Sequence, residues 1–178
     1  MKAKAWVAAV SVVVVAGCGG RAPGPAVPGQ RLSGEPVSVV EFTTEGAIVS
    51  YDEPYESFGL DVASEIAAEL RSRGHRAELV RAGGTSASGT VVRGRVVLID
   101  GGSRAARVIV GMGAGAGRFG VSGEVTRADG TRLGTFQDDR SSSGMANMWG
   151  GSAHDLVQKC IRAVGHDVAE MIDTGQYR

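Results

Sequence analysis

The stretch from residue 90 to residue 136 constrains the fold most, because β-branched runs alternate there with short turns. Asp129-Gly130 is typical of a hairpin turn, since such a turn requires positive φ. Four runs have the composition of strands: residues 90–99, 105–112, 119–127 and 132–136. Short connections between successive strands predict a four-stranded antiparallel meander.

Further elements are predicted on both sides of this stretch. Residues 37–43 and 76–80 have strand composition, whereas residues 60–73 and 153–172 carry apolar side chains at helical spacing. The order is strand, helix, strand, meander, helix. It predicts one α+β domain over residues 37–178, with a mainly antiparallel sheet and both helices packed on one face.

The N-terminus predicts export from the cytoplasm. Two lysines precede an apolar run at residues 5–16, which is shorter than the roughly 20 residues that a membrane-spanning helix needs. These features are typical of a secretory signal peptide. The run ends in Val15-Ala16-Gly17-Cys18, which resembles a bacterial lipobox. We therefore expect residues 1–17 to be removed and Cys18 to carry fatty acyl chains such as palmitate.

The residues after Cys18 predict a tether to a membrane surface. Residues 18–36 hold four of the five prolines and little that could be buried, so they are predicted to be flexible. Acyl chains contribute about 0.8 kcal/mol of membrane affinity per buried methylene. Because no aspartate follows Cys18, the expected location in a bacterium with two membranes is the periplasmic side of the outer membrane.

Charge and cysteine content narrow the classes of partner and site. The formal net charge is zero, which gives no indication of a nucleic-acid partner. With Cys18 acylated, only Cys160 remains, so no internal disulfide is expected. Cys160 lies on the apolar stripe of the second predicted helix, which favours a small buried side chain over a nucleophile.

The residue types that act in catalysis or bind metals do not form a recognisable motif in this sequence. Ser141-Ser142-Ser143 follows two aspartates but lacks a nucleophile-elbow motif, and Asp52, Glu53 and Glu56 fit a solvated loop. The histidines do not have the spacing of a helical metal pair: His75, His154 and His166. We predict no enzyme activity, no metal and no cofactor.

The glycine-rich stretch at residues 111–120 admits two interpretations. Gly115-Ala116-Gly117-Arg118-Phe119-Gly120 matches the G-x-G-x-x-G pattern, but a predicted strand follows it rather than the helix that binds a pyrophosphate. Four glycines alternate and would share one face of a strand: Gly111, Gly113, Gly115 and Gly117. A structural role is favoured, and binding of a nucleotide or small ligand by Gly111–Gly120 is the alternative.

Met145, Met148 and Trp149 form a soft apolar cluster in a loop rich in glycine. Such a cluster either contacts a partner or closes over the core, and the sequence does not separate these two roles.

The segments "GGSRAARVIVGMGAG" and "VSGEVTRADGTRLGTF" are similar to a family of bacterial lipoproteins known as domain of unknown function 4410. The similarity extends over residues 37–172, although the "SSSGMANMWGG" loop departs from the family pattern. It implies an N-terminal strand and helix, a hairpin and a closing helix, and it implies no active-site residues. The resulting hypothesis is a non-enzymatic outer-membrane lipoprotein that binds or scaffolds an envelope partner or self-associates.

Overall fold

The computed structural model describes residues 32, 34–85, 89–102, 115–142 and 152–177. These residues form one α+β fold with two helices and a six-stranded sheet. The elements in chain order are β1 Val37–Val40, β2 Ile48–Ser50, α1 Phe58–Ser72, β3 Ala77–Val80, β4 Thr90–Asp100, β5 Arg118–Arg127, β6 Arg132–Ser141 and α2 Ala153–Thr174. Neither of these helices is long and apolar enough to cross a membrane.

The sheet is mixed rather than mainly antiparallel. Its strand order is β3-β1-β4-β5-β6, and β2 pairs with β4 beyond the end of β1. β1 is parallel to β3 and β4, and β2 is parallel to β4. The parallel half follows from the strand–helix–strand order, because a helix that connects two neighbouring strands returns the chain to the same end of the sheet.

The predicted four-stranded meander is wrong, because β4 pairs directly with β5 from Thr90↔Arg127 to Asp100↔Arg118. β1 and β2 occupy the other edge of β4, so no further strand fits beside it. Among the described residues, the antiparallel part contains three strands, β4, β5 and β6. Residues 105–112, the predicted second strand, lie outside the described residues. Turn residues mark where a strand ends, but they do not specify which strand pairs next.

Both helices pack on one face of the sheet and against each other. α1 contacts β1 and β3, whereas α2 contacts β5 and β6. Their apolar stripes, which include Val62, Ile66, Ile161 and Val168, are fully buried in a single core. In the capping box that begins α2, the Asp155 backbone amide donates to Ser152 Oγ at 3.1 Å.

Two glycines in the sheet leave space for aromatic rings beneath the helices. Gly94 and Gly123 are aligned across β4 and β5. A Cβ atom at Gly94 would lie within 3.0 Å of the Phe42 ring, and one at Gly123 would meet the Phe136 ring. These two rings pack on each other with centroids 6.1 Å apart. The packing of the core therefore requires a residue without a side chain, glycine, at both positions.

Ionic contacts join the C-terminal ends of the two helices. His75 Nε2 lies 2.8 Å from Asp173 Oδ1, and Arg73 Nη1 lies 3.5 Å from Asp173 Oδ2. The hydrogen bond to His75 lowers the pKa of the Asp173 carboxyl below its usual value, with a smaller contribution from Arg73. Ionised Asp173 therefore stabilises the folded state.

Replacing Asp173 by asparagine should lower the free energy of unfolding at pH 7 by about 1 kcal/mol, since the partly exposed carboxylate loses one charge-assisted bond. The folded-state pKa is lowered, so this contribution is present above the ordinary aspartate pKa and disappears as pH falls through the folded value. Urea denaturation of wild type and Asp173→Asn at pH 7 and pH 2.5 measures it. An equal difference at both pH values would contradict the assignment.

Candidate interaction surface

The sheet face opposite the helices carries polar side chains around an open groove. Arg93 is aligned with Glu124, and Arg95 is aligned with Ser122. Across the next pair of strands, Glu124 is aligned with Thr135 of β6, and Ser122 is aligned with Gln137. These residues and Thr43 line a groove of about 620 Å³. Because all of them except Thr43 come from three adjacent strands, the sheet itself fixes their spacing.

Two arginines and one carboxylate, Glu124, give this groove a net positive charge. Arg93 and Arg95 flank Gly94 and are both exposed. Arg95 Nε donates to Ser122 Oγ at 3.5 Å, and within the described part of the chain Arg93 forms no ion pair. This pair was not among the site residues predicted from the sequence. Its signal is the Arg-x-Arg spacing within a predicted strand, which places two cations on one face.

The exposed apolar side chains of the sheet lie on one side of β4, and the opposite edge is charged. The large hydrophobic side chains exposed among the described residues are Ile48 at 72%, Val49 at 36% and Leu79 at 37%. All three lie on β2 or β3, on the same side of β4. At the opposite edge, β6 carries a run of charged residues, Asp138-Asp139-Arg140. Proteins commonly protect free edge strands with charge, and β2 has none of this protection.

Acidic residues follow the apolar strand β2. Asp52, Glu53 and Glu56 are all exposed in the loop that connects β2 to α1. Tyr51 begins this loop and joins it to α2, since its hydroxyl lies 3.2 Å from His154 Nδ1. Burial and the neighbouring Glu53 raise the pKa of Tyr51 to about 12. No spacing in the sequence indicated the contact between Tyr51 and His154.

The glycine-rich stretch leads from a turn into β5. Gly115 has a φ of 74°, and Gly120 is paired within β5. The Gly117 backbone amide donates to Ser142 Oγ at 2.9 Å, and the Gly117 carbonyl accepts from the Ser142 amide at 2.8 Å. A Cβ at Gly117 would lie 2.9 Å from Leu156 Cβ in α2. Gly111 and Gly113 lie outside the described residues.

The cysteine and serine near this stretch are engaged with backbone. Cys160 is buried, and its Sγ donates to the Gly117 carbonyl at 3.5 Å. Burial raises the pKa of the Cys160 thiol to about 11, which keeps the sulfur protonated at neutral pH. Ser142 holds the Gly117 amide, and Ser143 lies outside the described residues. Both side chains thus bind the backbone of Gly117, next to the start of β5.

Among the described residues, His166, Asp167 and Glu170 offer ligand atoms within 4.8 Å of one another, as a metal site requires. Each already has an ionic neighbour. His166 Nδ1 lies 3.1 Å from Glu69 Oε1, and Asp167 pairs with Arg140. Arg73 Nη2 lies 3.9 Å from Glu170 Oε2. Arginines compete with a cation for these oxygens, so we assign the group to helix packing.

Several predicted functional residues lie outside the described residues. They are the lipobox residues Val15, Ala16 and Gly17, the acylation site Cys18, and the apolar loop residues Met145, Met148 and Trp149. Their roles stay predictions.

A family model described as domain of unknown function (DUF4410) matches residues 42–146. The chain belongs to this family. The match contains β2 to β6 and α1, so the similarity found in the two segments quoted above is confirmed. No curated protein sequence matches the chain.

Solved structures share the fold of this DUF4410 protein. A PelC dodecamer from Paraburkholderia phytofirmans aligns with a TM-score of 0.52 at 19% identity, covering 84% of this chain and 93% of that one. Protein XCC0632 from Xanthomonas campestris, of family model DUF330, aligns with a TM-score of 0.52 at 10% identity. That alignment covers 86% of this chain and 91% of the other. At these identities the likeness establishes the fold.

Proposed function

We propose that this DUF4410 protein is a lipid-anchored protein of the bacterial outer membrane whose periplasmic domain self-associates and scaffolds another envelope component. The lipobox at Cys18 and the proline-rich residues 18–36 support the anchor and the tether. The domain binds other proteins and catalyses no reaction. Its role is to hold partners at a fixed distance from the membrane.

The exposed apolar edge at Ile48, Val49 and Leu79 is the observation that carries the proposal. An apolar free edge is a site for pairing with another chain, and it favours association over a solitary domain. A similar fold in a protein crystallised as a dodecamer supports self-association as the form of this pairing. The family and the fold are thus compatible with a subunit of an assembly.

The absence of catalysis is supported by the state of the candidate nucleophiles. Cys160 is a buried thiol with a raised pKa, and the Ser142 hydroxyl holds the Gly117 amide. The alternative, nucleotide or small-ligand binding by Gly111–Gly120, loses support from the same contact. A phosphate cradle needs free amides at a helix N-terminus, whereas the Gly117 amide is occupied and a strand follows it.

Crosslinking in intact cells tests this proposal. A membrane-permeable crosslinker applied to cells that produce the full acylated chain should trap multimers of the chain and one recurring envelope protein. The matched control is the Cys18→Ser variant, which should lose the envelope partner because it leaves the membrane surface. Recovery of the wild-type chain as an uncrosslinked monomer without a partner would contradict the proposal.

A further inference from the structure

We propose that the domain binds an anionic phospholipid surface through the end at which the predicted tether enters it, with Arg76, Arg127 and Arg132 contacting lipid phosphates. The inference rests on the lipid anchor in the proposed function and adds the orientation of the domain on the membrane. A flexible tether alone does not set the distance between the domain and the membrane, whereas a bound end of the sheet does.

The tether enters the domain at one end of the sheet. Arg76 Nη2 donates to the Gly34 carbonyl at 3.1 Å, and the Thr90 amide donates to the Pro36 carbonyl at 2.9 Å. Gly34 follows Cys18 by sixteen positions, and a flexible chain of that length has a root-mean-square extent of about 22 Å. An acylated Cys18 therefore keeps this end of the domain close to the lipid.

Three arginines form a row across this end, which we call the basic row. Arg76 directly precedes β3, Arg127 ends β5 and Arg132 begins β6. The start of β1 is aligned with the starts of β3 and β4, and the start of β4 with the end of β5. The row crosses the strand order β3-β1-β4-β5-β6, and at about 4.8 Å between strands it extends roughly 19 Å. Arg71 lies beside it, since its Nη1 donates to the Ala77 carbonyl at 3.1 Å.

The guanidinium groups of the basic row are available to an anion. Arg76 and Arg132 are exposed, and Arg127 is half-buried. Within the described part of the chain, none of these three arginines forms an ion pair. An arginine can donate two parallel hydrogen bonds to one phosphate, and each arginine near an anionic lipid surface strengthens binding by about fivefold. The basic row is therefore suited to lipid phosphates.

Charge is divided between the two ends of the domain. The end that the tether enters also contains the last turns of both helices and the hairpin between β5 and β6. Among the described residues it carries the basic Arg71, Arg73, Arg76, Arg127 and Arg132 and the acidic Glu35, Asp129 and Asp173. The end at which both helices begin carries the acidic Asp52, Glu53, Glu56, Asp61, Asp100 and Asp155 and the basic Arg118. An anionic surface attracts the first end and repels the second.

The tether has the same sign of charge as the end that it enters. Residues 18–34 contain Arg21 and Arg31 and no acidic residue. With residues 1–17 removed, Lys2 and Lys4 are lost, which leaves 19 − 2 = 17 basic side chains against 19 acidic ones. The positive charge is thus local to one end of a slightly acidic chain. The occupant is an anionic lipid surface, because Cys18 holds this end against lipid.

This orientation places the apolar strand β2 away from the membrane. Ile48 is aligned with Leu98, which follows Thr90 by eight residues along β4. At about 3.3 Å per residue, Ile48 lies roughly 26 Å from the bound end of the sheet. A partner that binds beside β2 is then held at a fixed distance from the lipid.

Energy transfer to the lipid tests the orientation. The full acylated chain, with a donor dye on Ala128→Cys beside Arg127 or on Ser57→Cys before α1, is placed on vesicles that carry an acceptor dye on their headgroups. Both positions are exposed, and the remaining thiol, Cys160, is buried. Transfer from residue 128 should be stronger on phosphatidylglycerol than on phosphatidylcholine, and high salt should remove the difference. Transfer from residue 57 should not increase on phosphatidylglycerol. Equal transfer from residue 128 on both lipids would overturn the proposal.

Charge reversal tests the basic row itself. Arg127→Glu combined with Arg132→Glu should lower the ratio of bound to unbound domain on phosphatidylglycerol roughly twentyfold, since each arginine contributes about fivefold. Arg81→Glu combined with Arg162→Glu is the matched control, because it changes the net charge equally at exposed positions away from this end. The control should change the ratio by less than about threefold, since charges beyond a Debye length are screened. Equal effects of the two pairs would contradict the assignment to the basic row.

The same vesicles separate this inference from the proposed function. A chain that stays on both kinds of vesicle without any effect of phosphatidylglycerol would refute the orientation and leave the lipid anchor standing. A chain that is released from both kinds of vesicle would refute both. Self-quenching of the dye at residue 128 on phosphatidylcholine would mean that the basic row meets a second copy, which would overturn the proposal.

Discussion

Replacing Gly123 by alanine should destabilise the domain by about 3 kcal/mol, the upper part of the range for overpacking a core. The added Cβ would meet the backbone oxygen of Arg93 on one side and the Phe136 ring on the other. The ring cannot withdraw, because Phe136 is 2% exposed and packs against Phe42. Urea denaturation, monitored by circular dichroism, measures the decrease in the free energy of unfolding.

Ser122→Ala is the matched control for this substitution. Ser122 is the preceding residue of β5, and its side chain lines the open groove rather than the core. Its removal should change the free energy of unfolding by less than about 0.5 kcal/mol. An equal decrease in the free energy of unfolding in the two variants would mean that the Phe136 ring does not occupy the space above Gly123.

Replacing Cys18 by serine should abolish acylation and release the chain from the membrane fraction. Cells fed labelled palmitate should label the wild-type protein and leave Cys18→Ser unlabelled. The release is expected to be nearly complete, because each buried methylene of the lost acyl chains contributes about 0.8 kcal/mol.

The buried thiol provides the control for this experiment. Cys160→Ser keeps the lipobox, so this variant should be labelled and stay in the membrane fraction. Label on Cys18→Ser, or membrane fractionation identical to that of wild type, would contradict the lipid anchor.

Local structure was predictable where a short segment determines it. The Asp129-Gly130 hairpin forms as expected, with Gly130 at a φ of 87° and the Thr131 amide donating to Asp129. The two helices also form, at Phe58–Ser72 and Ala153–Thr174, because apolar spacing and nearby glycines define them. These features depend on interactions within a few residues.

Strand pairing was not predictable in the same way. The hydrogen bonds between β1, β3 and β4 join residues up to about fifty positions apart, and strand composition does not indicate which strands will meet. The short strand β2 was missed, since three residues give no measurable alternation. The mixed sheet is a consequence of these distant pairings.

Only part of the candidate surface could be predicted from the sequence. Arg93 and Arg95 alternate within a predicted strand, which indicates a shared face, whereas the groove that they line depends on the pairing of β4 with β5 and of β5 with β6. The exposed acidic residue Asp52 was expected in a solvated loop and lies in one.

The mass of the acylated chain in detergent tests whether the chain self-associates. Light scattering with the detergent contribution subtracted should give a multiple of the single-chain mass. A single-chain mass at every concentration, with the Cys18 acyl chains verified by mass spectrometry, would contradict the account.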